Sequence, residues 1–160
     1  MQKIIITGAD GRMGRALLSA VLDNPKLQLV GAVVKADSSL IGADVGELIG
    51  RGRLDIALSS DLHSLLASDT VLIDFTAPQA TLDNLAAALQ HRSGVVIGTT
   101  GFNAEQLIEM NSYADRLAVV YAGNYSVGVN LSLQLLRLAT RVMGADSDIE
   151  IIEAHHRHKV

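Results

Sequence analysis

The last six positions of the chain, His155-His156-Arg157-His158-Lys159-Val160, concentrate its reactive side chains, with three of its five histidines beside an arginine and a lysine. A histidine gives or takes a proton near neutral pH. Arginine and lysine bind carboxylates or stabilise developing negative charge. Three readings compete: a proton donor with anion-binding neighbours, a metal site, and a solvated basic chain end. A continuing strand sends His155, Arg157 and Lys159 to one face and His156 and His158 to the other. That splits the histidines, and no metal site is expected.

A second constellation lies near the start. In Gly8-Ala9-Asp10-Gly11-Arg12-Met13-Gly14 the glycines are spaced G-x-x-G-x-x-G. The dinucleotide fingerprint is G-x-G-x-x-G, so Asp10 stands in the place of one standard glycine. The physical roles survive. One glycine permits the tight turn, another lets backbone amides approach a pyrophosphate, and Gly14 lets the following helix pack on the strand. The helix N-terminus then faces the anion, and Arg12 in its first turn is placed to reach a phosphate. The bland alternative is a strand-to-helix turn with chance glycines. A β-branched strand before the loop and a helix after it favour nucleotide binding.

NAD and NADP are usually told apart at the end of the second strand, where an acid binds the ribose hydroxyls and an Arg or Lys accommodates a 2′-phosphate. Here the residues are Val33-Val34-Lys35-Ala36-Asp37. Lys35 stands where the acid is expected, with Asp37 two residues on. This favours NADPH and leaves NADH open; an ordinary exposed loop lysine is the alternative.

Three further loops close predicted strands: Phe75-Thr76-Ala77-Pro78, Gly98-Thr99-Thr100-Gly101-Phe102 and Ala122-Gly123-Asn124-Tyr125-Ser126. In open α/β sheets, ligands bind beyond the carboxyl ends of the strands. Phe75, Thr76, Gly98, Thr99, Thr100, Ala122, Gly123, Asn124 and Tyr125 are therefore expected around a nicotinamide and its ribose.

The elements that must position these groups follow from hydrophobic pattern. Strands are expected at Lys3–Thr7, Leu27–Val34, Leu54–Leu58, Val71–Phe75, Val95–Gly98, Leu117–Tyr121 and Asp148–Ala154. Helices are expected at Gly11–Leu22, Asp61–Ala67 (capped by Asp61 or Ser60), Gln79–His91, Asn103–Asp115 (capped by Asn103) and Val129–Met143. Residues 35–53 read as a long loop with one helical turn near Asp44–Leu48. The alternation predicts an α/β fold, a Rossmann-like doubly wound parallel sheet with helices on both faces.

Composition narrows the class. Of 160 residues, 49% are hydrophobic but only 3% aromatic, so the core must be Val, Ile, Leu and Ala, as suits buried parallel strands. The net charge of −4 offers no basic face for nucleic acid. No cysteine is present, which excludes disulfides and a thiol nucleophile. No apolar run approaches the roughly 18–20 residues that span a bilayer, and no signal peptide is recognisable. A cytoplasmic protein without membrane or nucleic-acid partners is expected.

Taken in order, the motifs resemble those of the 4-hydroxy-tetrahydrodipicolinate reductase (dihydrodipicolinate reductase) family. The glycine loop, Ile73-Asp74-Phe75-Thr76-Ala77-Pro78, Val96–Phe102 and Asn124–Asn130 match in sequence, and Glu150–Val160 resembles the family's active-site signature. The resemblance implies hydride transfer from NADPH or NADH to a cyclic imine dicarboxylate, giving tetrahydrodipicolinate in lysine and diaminopimelate biosynthesis. It implies His155 as proton donor/acceptor, Lys159 as second proton donor and His156 as a substrate-binding position. Residues 1–126 would form the dinucleotide-binding domain. Residues 127–160 would supply a connecting helix and the first strand of a truncated α+β domain for substrate binding and tetramerisation. In the family the chain continues beyond that point with a Ser-Gly-Thr segment that grips a substrate carboxylate. A homotetramer is expected of the full-length family. Two alternatives stand beside this reading: a dinucleotide-binding fragment without turnover, and a Rossmann-type reductase of another carbonyl or imine acid.

Overall fold

The computed structural model describes residues 1–152 and 154. Met1–Gly123 forms one unit and the chain from Asn124 a second. The first holds a parallel sheet of six strands: β1 (Gln2–Thr7), β2 (Leu27–Val33), β3 (Leu58–Ser59), β4 (Thr70–Asp74), β5 (Gly94–Ile97) and β6 (Val119–Tyr121). Their spatial order is β3-β2-β1-β4-β5-β6, and every neighbouring pair runs parallel. This is the doubly wound dinucleotide-fold order, which reverses direction between β1 and β4.

The central strands are buried on both faces because they are apolar almost throughout. Ile4 and Ile6 point to one side, into a cluster with Leu18 and Val21 of helix α1 (Arg12–Leu22), Val45 and Leu58. Ile5 points to the other, with Leu72, Val95 and Ile97. There it meets Leu82, Leu85 and Ala88 of α3 (Pro78–His91) and Met110 of α4 (Ala104–Tyr113). The period-2 alternation of one isoleucine run therefore serves two cores.

Helix ends follow their capping chemistry. Asn103 accepts from the Gln106 amide at 2.8 Å, while the Gln106 side chain accepts from the Asn103 amide at 3.1 Å, a reciprocal capping box. The expected helical turn in the long loop is α2 (Val45–Leu48), capped by Asp44. In the second unit, α5 runs Val127–Met143, two residues earlier than expected, because the Ser126 hydroxyl caps the Val129 amide at 3.3 Å.

Three expectations are corrected. The strand expected over Leu54–Leu58 is only Leu58–Ser59. The Asp44 carboxylate takes the amides of Leu54 and Ile56 at 3.0 and 3.3 Å, removing them from any ladder. Burial raises the Asp44 pKa, but the amides of Leu54, Gly46 and Glu47 more than offset it, and the group sits below its ordinary value. The helix expected over Asp61–Ala67 is a turn. Its Ala67 amide donates to the Thr70 hydroxyl at 3.0 Å instead of continuing a helix, a side chain competing with the backbone ladder. The strand expected over Asp148–Ala154 is not formed at 148–152 or 154. A strand exists only against a partner, and among the described residues none pairs there.

Among the described residues no helix is long and apolar enough to cross a membrane.

Candidate dinucleotide site

The strand ends bring the predicted loops side by side. Thr7, the last residue of β1, pairs with Val33 on β2 and with Asp74 on β4, and Asp74 pairs with Ile97 on β5. The glycine loop and the Phe75-Thr76 loop thus flank the point where strand order reverses, where open α/β sheets form their ligand crevice. A cleft of about 380 Å³ lies there, lined by Thr7, Gly8, Asp10, Gly11, Val33, Val34, Lys35, Phe75, Thr76, Ala77, Ala80 and Asn84. A second hollow of about 510 Å³ shares Gly8, Gly11 and Phe75 with it and adds Arg12, Met13 and Gly14.

The three glycines have different jobs. Gly8 turns the chain with φ of +62°, and a Cβ there would come within 3.0 Å of Thr76 Cγ2. Such a backbone favours glycine. A Cβ on Gly14 would lie 2.1 Å from the Gly8 carbonyl oxygen, so this residue lets α1 press onto the loop. Gly11 has φ of −72°, open to any residue, and no side chain caps α1 behind it. The first-turn amides of α1 are thereby left to another acceptor. α3 is likewise uncapped by a side chain, whereas α2, α4 and α5 are capped by Asp44, Asn103 and Ser126. The two uncapped α-helices are the two that open on the cleft. This donor set suits a pyrophosphate.

Arg12 and Lys35 are exposed, and neither has an ion-pair partner among the described residues. Asp10 is occupied: its carboxylate accepts from the Ser38 hydroxyl at 3.4 Å and its carbonyl from Arg15 Nε at 3.1 Å. Arg15 also reaches the Leu48 carbonyl at 3.2 Å. It ties the glycine loop to α2, a role that the sequence motif did not signal.

Some predicted residues support the site without facing it. Ala9 is fully buried in the core and gives its amide to the Val33 carbonyl at 3.0 Å. Thr99 is buried, accepting from the Thr76 amide at 3.0 Å and from the Thr81 hydroxyl at 2.8 Å. Gly98 donates its amide to the Asp74 carbonyl at 2.8 Å, and Ala122 donates to the Ile97 carbonyl at 3.2 Å. Thr100 and Gly123 are exposed. Asn124 and Tyr125 belong to the second unit, where the Asn124 side chain accepts from the Ser126 amide at 2.7 Å. His155, His156 and Lys159 lie outside the described residues.

Sequence reasoning named Ala77 only as part of its loop and missed Ala80 and Asn84 in the cleft wall. A signal was present: the 4-residue spacing puts Ala80 and Asn84 on one face of α3, directly after a strand end. It also missed Asp74. This carboxylate closes β4 and is fully buried. Its Oδ1 accepts from the Thr76 amide at 2.9 Å and hydroxyl at 2.6 Å, and its Oδ2 from Asn84 Nδ2 at 2.8 Å.

The family model for the N-terminus of dihydrodipicolinate reductase matches residues 2–125. The chain belongs to this family. Among its relatives, a protein of Psychrobacter arcticus named 4-hydroxy-tetrahydrodipicolinate reductase is 48% identical over the whole of this chain and 58% of its own length. One of Chromohalobacter salexigens with the same name is 50% identical over 100% of this chain and 60% of its own. The chain therefore spans about three fifths of these relatives. A dipicolinate-bound dihydrodipicolinate reductase from Paenisporosarcina sp. TG-14 superposes with a TM-score of 0.66 at 26% identity, covering 88% of this chain and 54% of that one. The parallel six-stranded sheet is thus the Rossmann-like sheet of this family's N-terminal domain.

Proposed function

We propose that this chain is the dinucleotide-binding part of an NADPH- or NADH-dependent 4-hydroxy-tetrahydrodipicolinate reductase. One observation carries the reading: in a member of this family, the uncapped N-terminus of α1 and the Phe75-Thr76 loop flank a cleft at the strand-order reversal. Gly11 and the α1 amides would hold the pyrophosphate, and Arg12 would add charge. Lys35, at the end of β2, would meet the 2′-phosphate of NADPH. The bound nicotinamide supplies the hydride. His155 would deliver a proton, Lys159 would stabilise the charge that develops on the dicarboxylate substrate and give the second proton, and His156 would bind that substrate. Gly98, Thr100, Gly123, Asn124 and Tyr125 would complete the nicotinamide side.

The same reading assigns residues 1–126 to dinucleotide binding and 127–160 to the beginning of a substrate and tetramerisation domain. It assigns the full-length protein to lysine and diaminopimelate biosynthesis in the cytoplasm, as a homotetramer. A titration of the folded chain with NADPH and NADH, followed by nicotinamide fluorescence or calorimetry, tests the cofactor assignment. No binding by either overturns it.

A further inference from the structure

We propose that Asp74 is a positioning residue for the dinucleotide cleft, its buried carboxylate fixing Thr76 and Asn84 in the wall and bracing the Gly98-Thr99 loop behind them. The inference rests on the functional reading above.

A carboxylate removed from water is costly unless charge or hydrogen bonds replace its hydration. Asp74 is fully buried, and among the described residues no cation pairs with it. Hydrogen bonds alone hold it: two from Thr76, one from Asn84, and a longer one from the Thr99 hydroxyl at 3.4 Å. These bonds join three segments that strand pairing does not join: the loop after β4, the body of α3 and the loop after β5. Thr76 and Asn84 both line the cleft.

Pinning β4 to β5 does not require a charge. At the opposite end of the same strands, the buried hydroxyls of Thr70 and Ser93 meet at 2.8 Å. That neutral pair anchors the sheet edge away from the site. The carboxylate sits instead at the edge that carries the cleft, and every group around it donates. A carboxylate, which only accepts, is the side chain that fits such a ring of donors.

The donor pattern gives the test. Asp74→Asn replaces the charged acceptor by a neutral amide whose N–H must face Thr76 or Asn84; Asn84 can meet it only by turning its carbonyl inward, and the bonds from Thr76 lose their charge assistance in either arrangement. The double variant Asp74→Asn with Asn84→Asp reverses the pair, so that position 74 donates to a carboxylate at position 84 while still accepting from Thr76. Two readouts apply to each protein: exchange of the Thr76 amide hydrogen, and the Kd for NADH, which lacks the extra phosphate that a carboxylate at position 84 would repel. In Asp74→Asn we expect Thr76 to exchange about tenfold faster and the Kd to rise about tenfold. The double variant is expected to return both toward wild type. A folded Asp74→Asn protein with wild-type exchange and Kd overturns the inference. So does a folded double variant in which neither recovers. Should Asp74→Asn fail to fold, the double variant decides alone, and Thr99→Val must still raise the Kd. Wild-type protein that binds no NADH overturns the functional reading and this inference with it. Wild-type binding with an unmoved variant overturns the inference only.

Discussion

The ring of Phe75 occupies the space that any side chain at Gly98 would need. A Cβ built on Gly98 falls 2.0 Å from Phe75 Cε1 and 2.1 Å from Cζ. The aromatic ring of this cleft residue and the glycine that follows β5 are therefore one packing unit. Gly98→Ala must push the ring aside, at a cost of ~1–3 kcal/mol as overpacking usually exacts. Urea denaturation should record that loss. Coupling the change to Phe75→Leu should recover most of it, whereas a Gly98→Ala protein of unchanged stability would show that the ring moves freely.

The glycines of the first loop should separate folding from binding. Gly14→Ala drives a methyl into the Gly8 carbonyl, since its Cβ has only 2.1 Å of space. We expect a large drop in Tm. Gly11→Ala meets the same oxygen at 3.2 Å from an ordinary backbone conformation. It should fold with nearly wild-type Tm yet weaken coenzyme binding about tenfold by crowding the α1 amides. Equal melting losses in both variants would contradict this division.

The parallel sheet and the cleft position at its strand ends were legible because they depend on features written locally. The β-branched runs alternate with helical periods, and the runs of β1 and β5 lead directly into glycine loops at Gly8 and Gly98. What was not legible depends on single side chains capturing backbone groups across a distance in sequence. Asp44 rewrites residues 54–56 from ten or more positions away, and Thr70 ends the turn at Ala67. Neither acts through a periodic pattern. Asp74 escaped notice for a related reason: in Ile73-Asp74-Phe75 it reads as a polar strand end, and its partners Asn84 and Thr99 are unremarkable until the fold gathers them.

Coenzyme choice should follow Lys35. Lys35 lines the cleft, and its ammonium has no ion-pair partner among the described residues. Lys35→Glu should raise the Kd for NADPH by about tenfold or more and leave that for NADH level or improved. Parallel titrations with both coenzymes check this; an unchanged ratio would remove Lys35 from the site.

Acid should loosen the 42–58 segment. The Asp44 pKa is lowered in the folded state: burial raises it, and the amides of Leu54, Gly46 and Glu47 outweigh that effect. A depressed folded pKa means stability that is complete above the ordinary carboxylate value of about 3.9 and lost as pH falls through the folded one. Asp44→Ala should therefore lower Tm at pH 7 and flatten the decline of stability toward pH 3. A wild-type acid slope in that variant would count against the assignment.

For the full-length protein, His155→Gln should reduce kcat far more than it changes coenzyme Kd, because a proton donor acts on the chemical step. Lys159→Met should damage both kcat and substrate KM through the loss of a charge in the site. Steady-state kinetics with independent coenzyme titration distinguishes the two patterns, and an unchanged kcat in His155→Gln would remove that residue from its role.

Pro78 opens α3, one of the two α-helices that reach the cleft without a side-chain cap. Proline has no amide hydrogen to offer, so α3 presents an anion with one donor fewer than α1, whose opening residues Arg12, Met13 and Gly14 all keep theirs. The crevice is thus asymmetric by a single missing proton. A pyrophosphate therefore meets a fuller set of helix N-terminal amides on the α1 wall of the crevice than on the α3 wall.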